Sequence, residues 1–326
     1  MKESGGPSNR PLHKKGIKAV MTEDDRPTPA YRGVPYPNLD LTTNDWTAEE
    51  RAETVRWYEL AHGTGDTRRA QFVPFGIDYN PAGFKRYRAL VPALTGAVPR
   101  GLFFIHLYAV LGNVDGCLYE IIASRQNGFT KRQIIEALNY AFLSGGPQGL
   151  NAVAEAASDF LFAWEDDRTA SELEWPEGWS VDPDAFKSGI DIEARTIGFS
   201  EEELESLREW HRRMSGEVPA YVDLWGRLRG GPYKAGRARF EVAPGSSLPI
   251  QIYPLMNAHI ATYFERPRAL RQAMLHCKAL GVKLEQLVEV IDTAFVYGGE
   301  WKMVEVFTDE IVELFEQWES EEAGTS

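Results

Sequence analysis

The sequence predicts an all-α protein in which two similar helical units follow one another along the chain. Three observations support this prediction: apolar residues recur at helical spacing, strand-like alternation is scarce, and a long stretch recurs at one fixed offset. The clearest apolar helix faces occupy equivalent places in the two units: Ile134, Ile135, Leu138, Ala141 and Phe142, and then Leu287, Val288, Ile291, Ala294 and Phe295.

The internal repeat has an offset of 259 − 106 = 153 positions, defined by His106 and His259. Eight of the 41 positions from 106 to 146 are identical across this offset, without a gap. The same register relates residues 46–57 to residues 199–210, whereas residues 64–98 and 217–251 do not align cleanly. We therefore interpret the chain as a tandem duplication.

Signals for helix starts and ends recur in both units. Residues 47–50 (TAEE) and 200–203 (SEEE) match the capping box, in which a hydroxyl and a carboxylate bind exposed backbone N–H groups. The Gly-Gly pairs at 145–146 and 298–299 are expected to end the preceding helices, because glycine adopts a left-handed backbone conformation at low cost.

The chain divides into four predicted regions. Residues 1–42, rich in Pro, Gly and charge, are expected to form an extended arm that drapes over a partner subunit. Residues 43–165 form the first helical repeat, residues 166–198 an irregular connector that packs through its aromatic residues, and residues 199–320 the second repeat. Within the first repeat, residues 72–87 are interpreted as a loop that either covers a pocket or packs on the surface.

Composition narrows the classes of partner. The net charge of −13 argues against a non-specific nucleic-acid binder, because phosphates would be repelled. The first residues lack the apolar core of a signal peptide, and no run reaches the 18 or so apolar residues of a membrane span. The two cysteines provide neither a disulfide framework nor a zinc quartet. We expect a cytoplasmic protein that binds neither nucleic acid nor membrane.

The helix–turn–helix pattern resembles the carboxymuconolactone decarboxylase family, whose relatives include alkyl hydroperoxide reductase D-like proteins. The resemblance rests on the turns NGF at 127–129 and LGV at 280–282, a glutamate inside each following helix and the closing Gly-Gly. It covers residues 101–162 and 254–315. It implies all-α units that pair across a dimer-like interface, so that one chain supplies an intrachain pseudo-dimer and a homotrimer of chains is the expected assembly.

The reductase branch of that family carries a Cys-x-x-Cys-x-x-x-His motif before the turn, and this sequence does not. The histidine position falls on Glu120 in the first repeat and Ala273 in the second. The four cysteine positions hold other residues: Asn113 and Gly116, then Arg266 and Ala269. A thiol peroxidase needs a nucleophilic thiolate with a resolving thiol nearby, so the resemblance favours the decarboxylase branch, which works without thiols.

Three side chains are candidates for acid/base chemistry. Glu120 has apolar neighbours on its helix and occupies the position that the related enzymes use, and a carboxyl facing an apolar cavity would have a raised pKa. The alternative is a solvated glutamate paired with Arg125. His106 and His259 lie at equivalent places in apolar helices, as catalytic bases or as core histidines bonded to backbone carbonyls.

Asn113, Tyr119, Tyr263 and Arg266 are the candidates for substrate binding. The guanidinium of Arg266 would clamp a substrate carboxylate through two parallel hydrogen bonds, although a solvated charged turn is the alternative. No paired metal-ligand motif lies on any predicted helix, and no phosphate-binding glycine loop follows a strand. We therefore expect neither a metal ion nor an organic cofactor.

The resulting hypothesis is a cofactor-independent lyase acting on a small oxygenated organic acid, lactone or ketone. Glu120 and His106 would exchange the proton at the reacting carbon, with His259 as the counterpart in the second repeat. Two alternatives remain open: a hydrolase that activates water with the same carboxylate, and a non-catalytic helical protein that binds small molecules or serves in assembly.

Overall fold

The computed structural model describes residues 37–62, 72–93, 98–164, 173–192, 198–296 and 299–324. Within these ranges every regular element is a helix, so the all-α prediction is confirmed for the described residues. The predicted arm falls largely outside them, since its residues 1–36 are not described. No described helix has both the length and the apolar composition that crossing a membrane requires.

Thirteen helices occupy the described ranges. The first six are α1 (Ala48–His62), α2 (Phe72–Tyr79), α3 (Pro81–Ala93), α4 (Gly101–Leu111), α5 (Val114–Gln126) and α6 (Lys131–Ala163). The remaining seven are α7 (Glu201–Ser215), α8 (Ala220–Glu241), α9 (Ile252–Tyr263), α10 (Pro267–Ala279), α11 (Leu284–Phe295), α12 (Glu300–Val306) and α13 (Asp309–Gly324).

Both predicted capping boxes are present. Thr47 and Glu50 exchange two bonds at 2.8 and 3.1 Å, from the Thr47 N–H to the Glu50 carboxylate and from the Glu50 N–H to the Thr47 hydroxyl. Ser200 and Glu203 repeat this arrangement with the same two distances, 2.8 and 3.1 Å. These bonds satisfy N–H groups that a helix start otherwise leaves without partners.

The interpretation of residues 72–87 as a loop was wrong. They form α2 and most of α3, with the break at Asn80. Pro81 occupies the first turn of α3, where a missing N–H costs no hydrogen bond. A Cβ atom on Gly76 would lie only 2.4 Å from the Phe84 ring. The two short helices therefore pack closely at this glycine. Proline and glycine therefore shape a helical pair here.

Helices α4 and α9 form the centre of the fold. α4 packs on α5 and α6, and α9 packs on α10 and α11 in the same way. α1 covers α5 on one side, α7 covers α10 on the other, and α4 contacts α9 directly. Most of the buried apolar side chains belong to one continuous core that spans these helices.

Backbone features recur at the offset of 153. Gly128 and Gly281 have φ angles of 98° and 73°, and Gly146 and Gly299 have φ angles of 67° and 57°. Gly112 (φ 66°) corresponds to Glu265 (φ 56°), the non-glycine residue of the described ranges with positive φ. Gly298, the other half of the second Gly-Gly pair, lies outside the described residues. Gly146 interrupts α6 with non-helical backbone angles, and the equivalent turns of the two halves thus share a positive φ.

Contacts between the two halves are reciprocal. Glu136 on α6 accepts hydrogen bonds from the Tyr253 hydroxyl and from the backbone N–H of Gly245 at 2.9 Å. Glu289 on α11 lies 153 positions after Glu136, and Arg100 lies 153 positions before Tyr253. These two equivalent residues also meet, since the Glu289 carboxylate lies 3.9 Å from the Arg100 Nε. This pair of contacts is thus reciprocal across the offset of 153.

Residues 173–192 are irregular and pack through their aromatic side chains. Trp175 stacks on Trp179 with ring centroids 6.2 Å apart, and the Trp179 indole N–H donates to Gln286 at 3.3 Å. Phe186 lies 5.8 Å from the Tyr253 ring. This segment therefore contacts the second half of the molecule through rings rather than through regular structure.

Candidate functional site

Glu120 lies on α5, the helix that packs against α1, α4 and α6. Its side chain is half-buried, and the surrounding protein raises the pKa of its carboxyl to about 8, with the charges of Arg100 and Arg88 offsetting part of this effect. Burial removes water from around the carboxyl, and this favours its neutral form. At neutral pH Glu120 therefore holds a proton, which is the state required of a general acid.

Two arginines reach toward Glu120 from different elements. Arg88, on α3, is buried, and its guanidinium lies 4.4 Å from the Tyr58 ring centroid and 5.4 Å from that of Trp57. Arg100, immediately before α4, is half-buried and contacts Glu289 of the second half. Both charges act on the Glu120 carboxyl. A guanidinium offers paired donors that suit a carboxylate.

Aromatic rings lie around Glu120 and Arg88. Tyr119 lies 6.4 Å from Tyr58 and 6.2 Å from Phe72, and Tyr58 lies 5.3 Å from Phe72, all between ring centroids. Burial raises the pKa of Tyr119 well above its ordinary value, and the Glu120 charge adds to this effect. We call Glu120, Arg88, Arg100, Tyr58 and Tyr119 the Glu120 cluster.

His106 and His259 lie apart from that cluster, on the α4 and α9 helices that pack between the two halves. Both are fully buried, and burial lowers the pKa of each to about 3, so both are neutral at physiological pH. His106 faces Ser144 (3.4 Å, Nε2 to Oγ) and Tyr140, and His259 faces Phe103 and Phe104. No described contact joins either ring to Glu120, so this geometry does not bring the predicted acid/base group together.

The remaining predicted binding residues are spread over helix ends. Asn113 caps α5 by accepting a hydrogen bond from the Gly116 N–H at 3.0 Å. Arg266 occupies the equivalent position before α10, is exposed, and lies 5.2 Å from the Phe264 ring. Tyr263 ends α9 beneath the ammonium of Lys302, 4.5 Å from its ring centroid. Of the four predicted binding residues, only Tyr119 lies beside Glu120.

The two thiols, Cys117 on α5 and Cys277 on α10, are both buried. Burial raises the pKa of Cys117 to about 12 and raises that of Cys277 still further. Both remain protonated at physiological pH, and a protonated thiol is a poor nucleophile. The described residues bring together no group of three or more His, Cys, Asp or Glu side chains suited to holding a metal ion.

The second half has a different polar cluster in the equivalent place. Arg237 there lies 3.8 Å from the Trp210 ring and bonds Glu241 at 2.7 Å. Ala273 replaces Glu120, and Gln272, bonded to Ser215 and His276 at 2.8 Å, replaces Tyr119. In the first half a carboxyl group, Glu120, thus accompanies the arginine. In the second half the equivalent helix position holds Ala273, which has no carboxyl group.

Arg88 and Arg100 were missed by reasoning from the sequence. A usable signal exists for Arg88, because residues 85–88 (KRYR) and 234–237 (KAGR) share a Lys-x-x-Arg spacing at an offset of 149. Glu50 binds Lys85 at 2.9 Å, as Glu203 binds Lys234 at 2.5 Å, so this correspondence is structural as well. The change from 153 to 149 hid it from a gapless comparison.

Comparison of the chain with protein-family models, with curated proteins and with solved structures produced no match in any of the three.

Proposed function

We propose that the chain is a tandem duplication of a carboxymuconolactone decarboxylase-like helical unit, folded as an intrachain pseudo-dimer. The support is threefold: equivalent helices such as α5 and α10 have bounds 153 positions apart, positive-φ turns recur at that offset, and the Glu136 and Glu289 contacts are reciprocal. The family assignment itself rests on the sequence resemblance.

We propose further that the protein is a cofactor-independent lyase acting on a small oxygenated acid, lactone or ketone, with Glu120 as its general acid and base. The observation that supports this assignment is a half-buried carboxyl whose pKa is raised to about 8, with two arginines and Tyr119 around it. A group that titrates near the working pH exchanges protons efficiently in both directions.

The proposed reaction removes a carboxylate from the carbon atom next to a carbonyl group, as in a β-keto acid. As the C–C bond breaks, carbon dioxide leaves and its electron pair passes into the carbonyl system as an enolate. The enolate carbon takes the proton from Glu120, and the resulting carboxylate regains a proton from water. Arg88 and Arg100 would hold the substrate carboxylate or the enolate oxygen, because fixed positive charge in a partly dry site stabilises developing negative charge.

In this proposal the histidines have a smaller part than the sequence suggested. His106 and His259 pack between the two halves as neutral rings, and Arg266, Asn113 and Tyr263 act at helix ends. The proposed setting is cytoplasmic, with a small-molecule substrate, no bound cofactor and a homotrimer of chains. These last features follow from composition and from the family resemblance.

The test is a panel of small keto acids and carboxylated lactones incubated with the full chain, with carbon dioxide release as the readout. Glu120→Gln keeps the shape of the side chain and removes its proton, so we expect turnover to fall by about 10²–10⁴-fold. Asp115→Asn, an exposed acid on the same helix, is the matched control and should leave turnover unchanged.

The outcomes separate the alternatives. Lactone opening without carbon dioxide release would support the hydrolase, and binding of panel members without turnover would support the non-catalytic protein. Full carbon dioxide release by Glu120→Gln would contradict the role assigned to Glu120.

A further inference from the structure

One ion pair joins the Glu120 cluster to the second half of the molecule. Arg100 immediately precedes the first residue of α4, and a carboxylate oxygen of Glu289 on α11 lies 3.9 Å from its Nε. The Glu289 side chain is 1% exposed, and that of Arg100 is 30% exposed. A buried carboxylate of the second half is therefore paired with a cation that belongs to the site of the first half.

The reciprocal contact between the halves uses no cation. Tyr253 lies 153 positions after Arg100, and Glu136 lies 153 positions before Glu289. The Glu136 carboxylate accepts hydrogen bonds from the Tyr253 hydroxyl and from the Gly245 N–H at 2.9 Å. Its other described donors are also hydroxyl or backbone N–H groups, which carry no charge. Contact between the halves at this place thus does not require a guanidinium, and a buried ion pair is in general a weak source of stability.

Arg100 interacts with one carboxyl group from each half. Its Nε faces the Glu289 carboxylate, and its charge acts on the Glu120 carboxyl together with that of Arg88. A carboxylate close to a guanidinium cancels much of the effect that the guanidinium has on a third group, because the two potentials have opposite signs. Glu289 therefore reduces how strongly Arg100 favours the ionised form of Glu120.

Other titratable groups near the two carboxyls lie on α3, α5 and α11. The Glu120 charge acts on Tyr87, Cys117 and Tyr119, and burial raises the pKa of each, so all three keep their protons where Glu120 titrates. On α11, burial raises the pKa of Asp292, and the charge of Glu289 raises it further. Asp292 is exposed to water, which weakens its effect on more distant groups.

We propose that Glu289 is a positioning residue for the site of the first half: it holds the Arg100 guanidinium in place and balances its charge, so that Glu120 keeps its proton. The use of that proton in turnover rests on the proposed function, whereas the effect of Glu289 on Glu120 does not. The second half would thus control the acid of the first half.

The test is the pKa of Glu120 in the full chain, measured by ¹³C NMR. Glu289→Gln keeps the shape of the side chain and leaves the Arg100 charge unbalanced, so the pKa of Glu120 should fall from about 8 to about 7 or lower. Arg100→Gln removes a charge that favours ionisation, so it should raise this pKa. In the Arg100→Gln background, Glu289→Gln should lower the pKa by less than it does in wild type, because Glu289 acts through Arg100.

Glu136→Gln is the matched control, because Glu136 is buried at the equivalent position and its described donors are neutral. It should leave the pKa of Glu120 at its wild-type value. If Glu289→Gln does not fold, Glu289→Met removes the same charge and fills the site with apolar atoms, and the same fall is expected. An unchanged or raised pKa of Glu120 in a folded Glu289 variant would overturn the proposal, and so would an equal fall in Glu136→Gln.

Turnover gives a separate readout. Carbon dioxide release that needs a protonated Glu120 declines as the pH rises through its pKa, so Glu289→Gln should lose turnover at a lower pH than wild type. A lowered pKa without carbon dioxide release from the wild-type chain would support the role of Glu289 and count against the lyase alone.

Discussion

At the scale of single residues, the two repeats differ most in one carboxyl group. Glu120 and Ala273 are equivalent positions on equivalent helices, yet only the first has a group that titrates. The sequences around the two arginines differ too: Arg237 bonds Glu241 four positions later at 2.7 Å, whereas the position four residues after Arg88 holds a proline.

The raised pKa of Glu120 predicts how stability depends on pH. The folded protein holds this proton up to about pH 8, whereas an unfolded glutamate has a pKa of about 4.5, so ionisation progressively destabilises the fold between these pH values. Glu120→Gln cannot ionise. Below pH 4 its free energy of unfolding should follow that of wild type, and by pH 8.5 it should exceed it by about 2 kcal/mol, because screening at a half-buried site reduces the full effect.

Urea unfolding at pH 4, 6 and 8.5 measures this difference, with Asp115→Asn as a control that should run parallel to wild type. Curves for Glu120→Gln that stay parallel to wild type at all three pH values would mean that the carboxyl has an ordinary pKa.

At the scale of elements, glycines determine how closely α6 approaches α4. A Cβ on Gly149 would lie 2.3 Å from the carbonyl oxygen of Ala109, and one on Gly145 would lie 2.8 Å from the Cα of Val110. Both obstacles are backbone atoms, which cannot move aside as a flexible side chain does. The Gly-Gly signal predicted a helix end here. The structure adds that the same region brings two helices into backbone contact.

Gly149→Ala should therefore lower the free energy of unfolding by about 1–3 kcal/mol through overpacking. Gly236→Ala is its matched control, because Gly236 is exposed on α8 and a Cβ there meets no atom within 4 Å. That control should raise the free energy of unfolding by about 0.5–1 kcal/mol through helix propensity. Equal effects of the two substitutions in urea unfolding would show that the α4–α6 contact is looser than described.

At the scale of the whole molecule, the repeated helices were predictable because the offset of 153 persists without a gap through α4, α5 and their partners. The capping boxes were predictable because they are local: Thr47 and Ser200 each exchange hydrogen bonds with a residue three positions later. Prediction failed where the offset changes to 149, and this hid the correspondence of the α2–α3 pair with α8.

The candidate site was predictable only in part. Glu120 was identifiable from its apolar neighbours on one helix, whereas Arg88 and Arg100 reach it from α3 and from the start of α4. His106 and Glu120 lie on different helices, and whether they meet depends on how those helices pack. The spacing of apolar residues along the sequence does not specify that packing. Local patterns thus identified the titrating group, and its charged surroundings required the tertiary structure.

The measurement that tests the central claim most directly is a titration of the Glu120 carboxyl by ¹³C NMR. The full chain would carry ¹³C at the side-chain carboxyl of glutamate, and the Glu120 resonance would be assigned by its loss in Glu120→Gln. The proposal predicts one glutamate titrating near pH 8. A Glu120 resonance that titrates below about pH 5, like an ordinary glutamate, would contradict the assignment of this residue as the general acid.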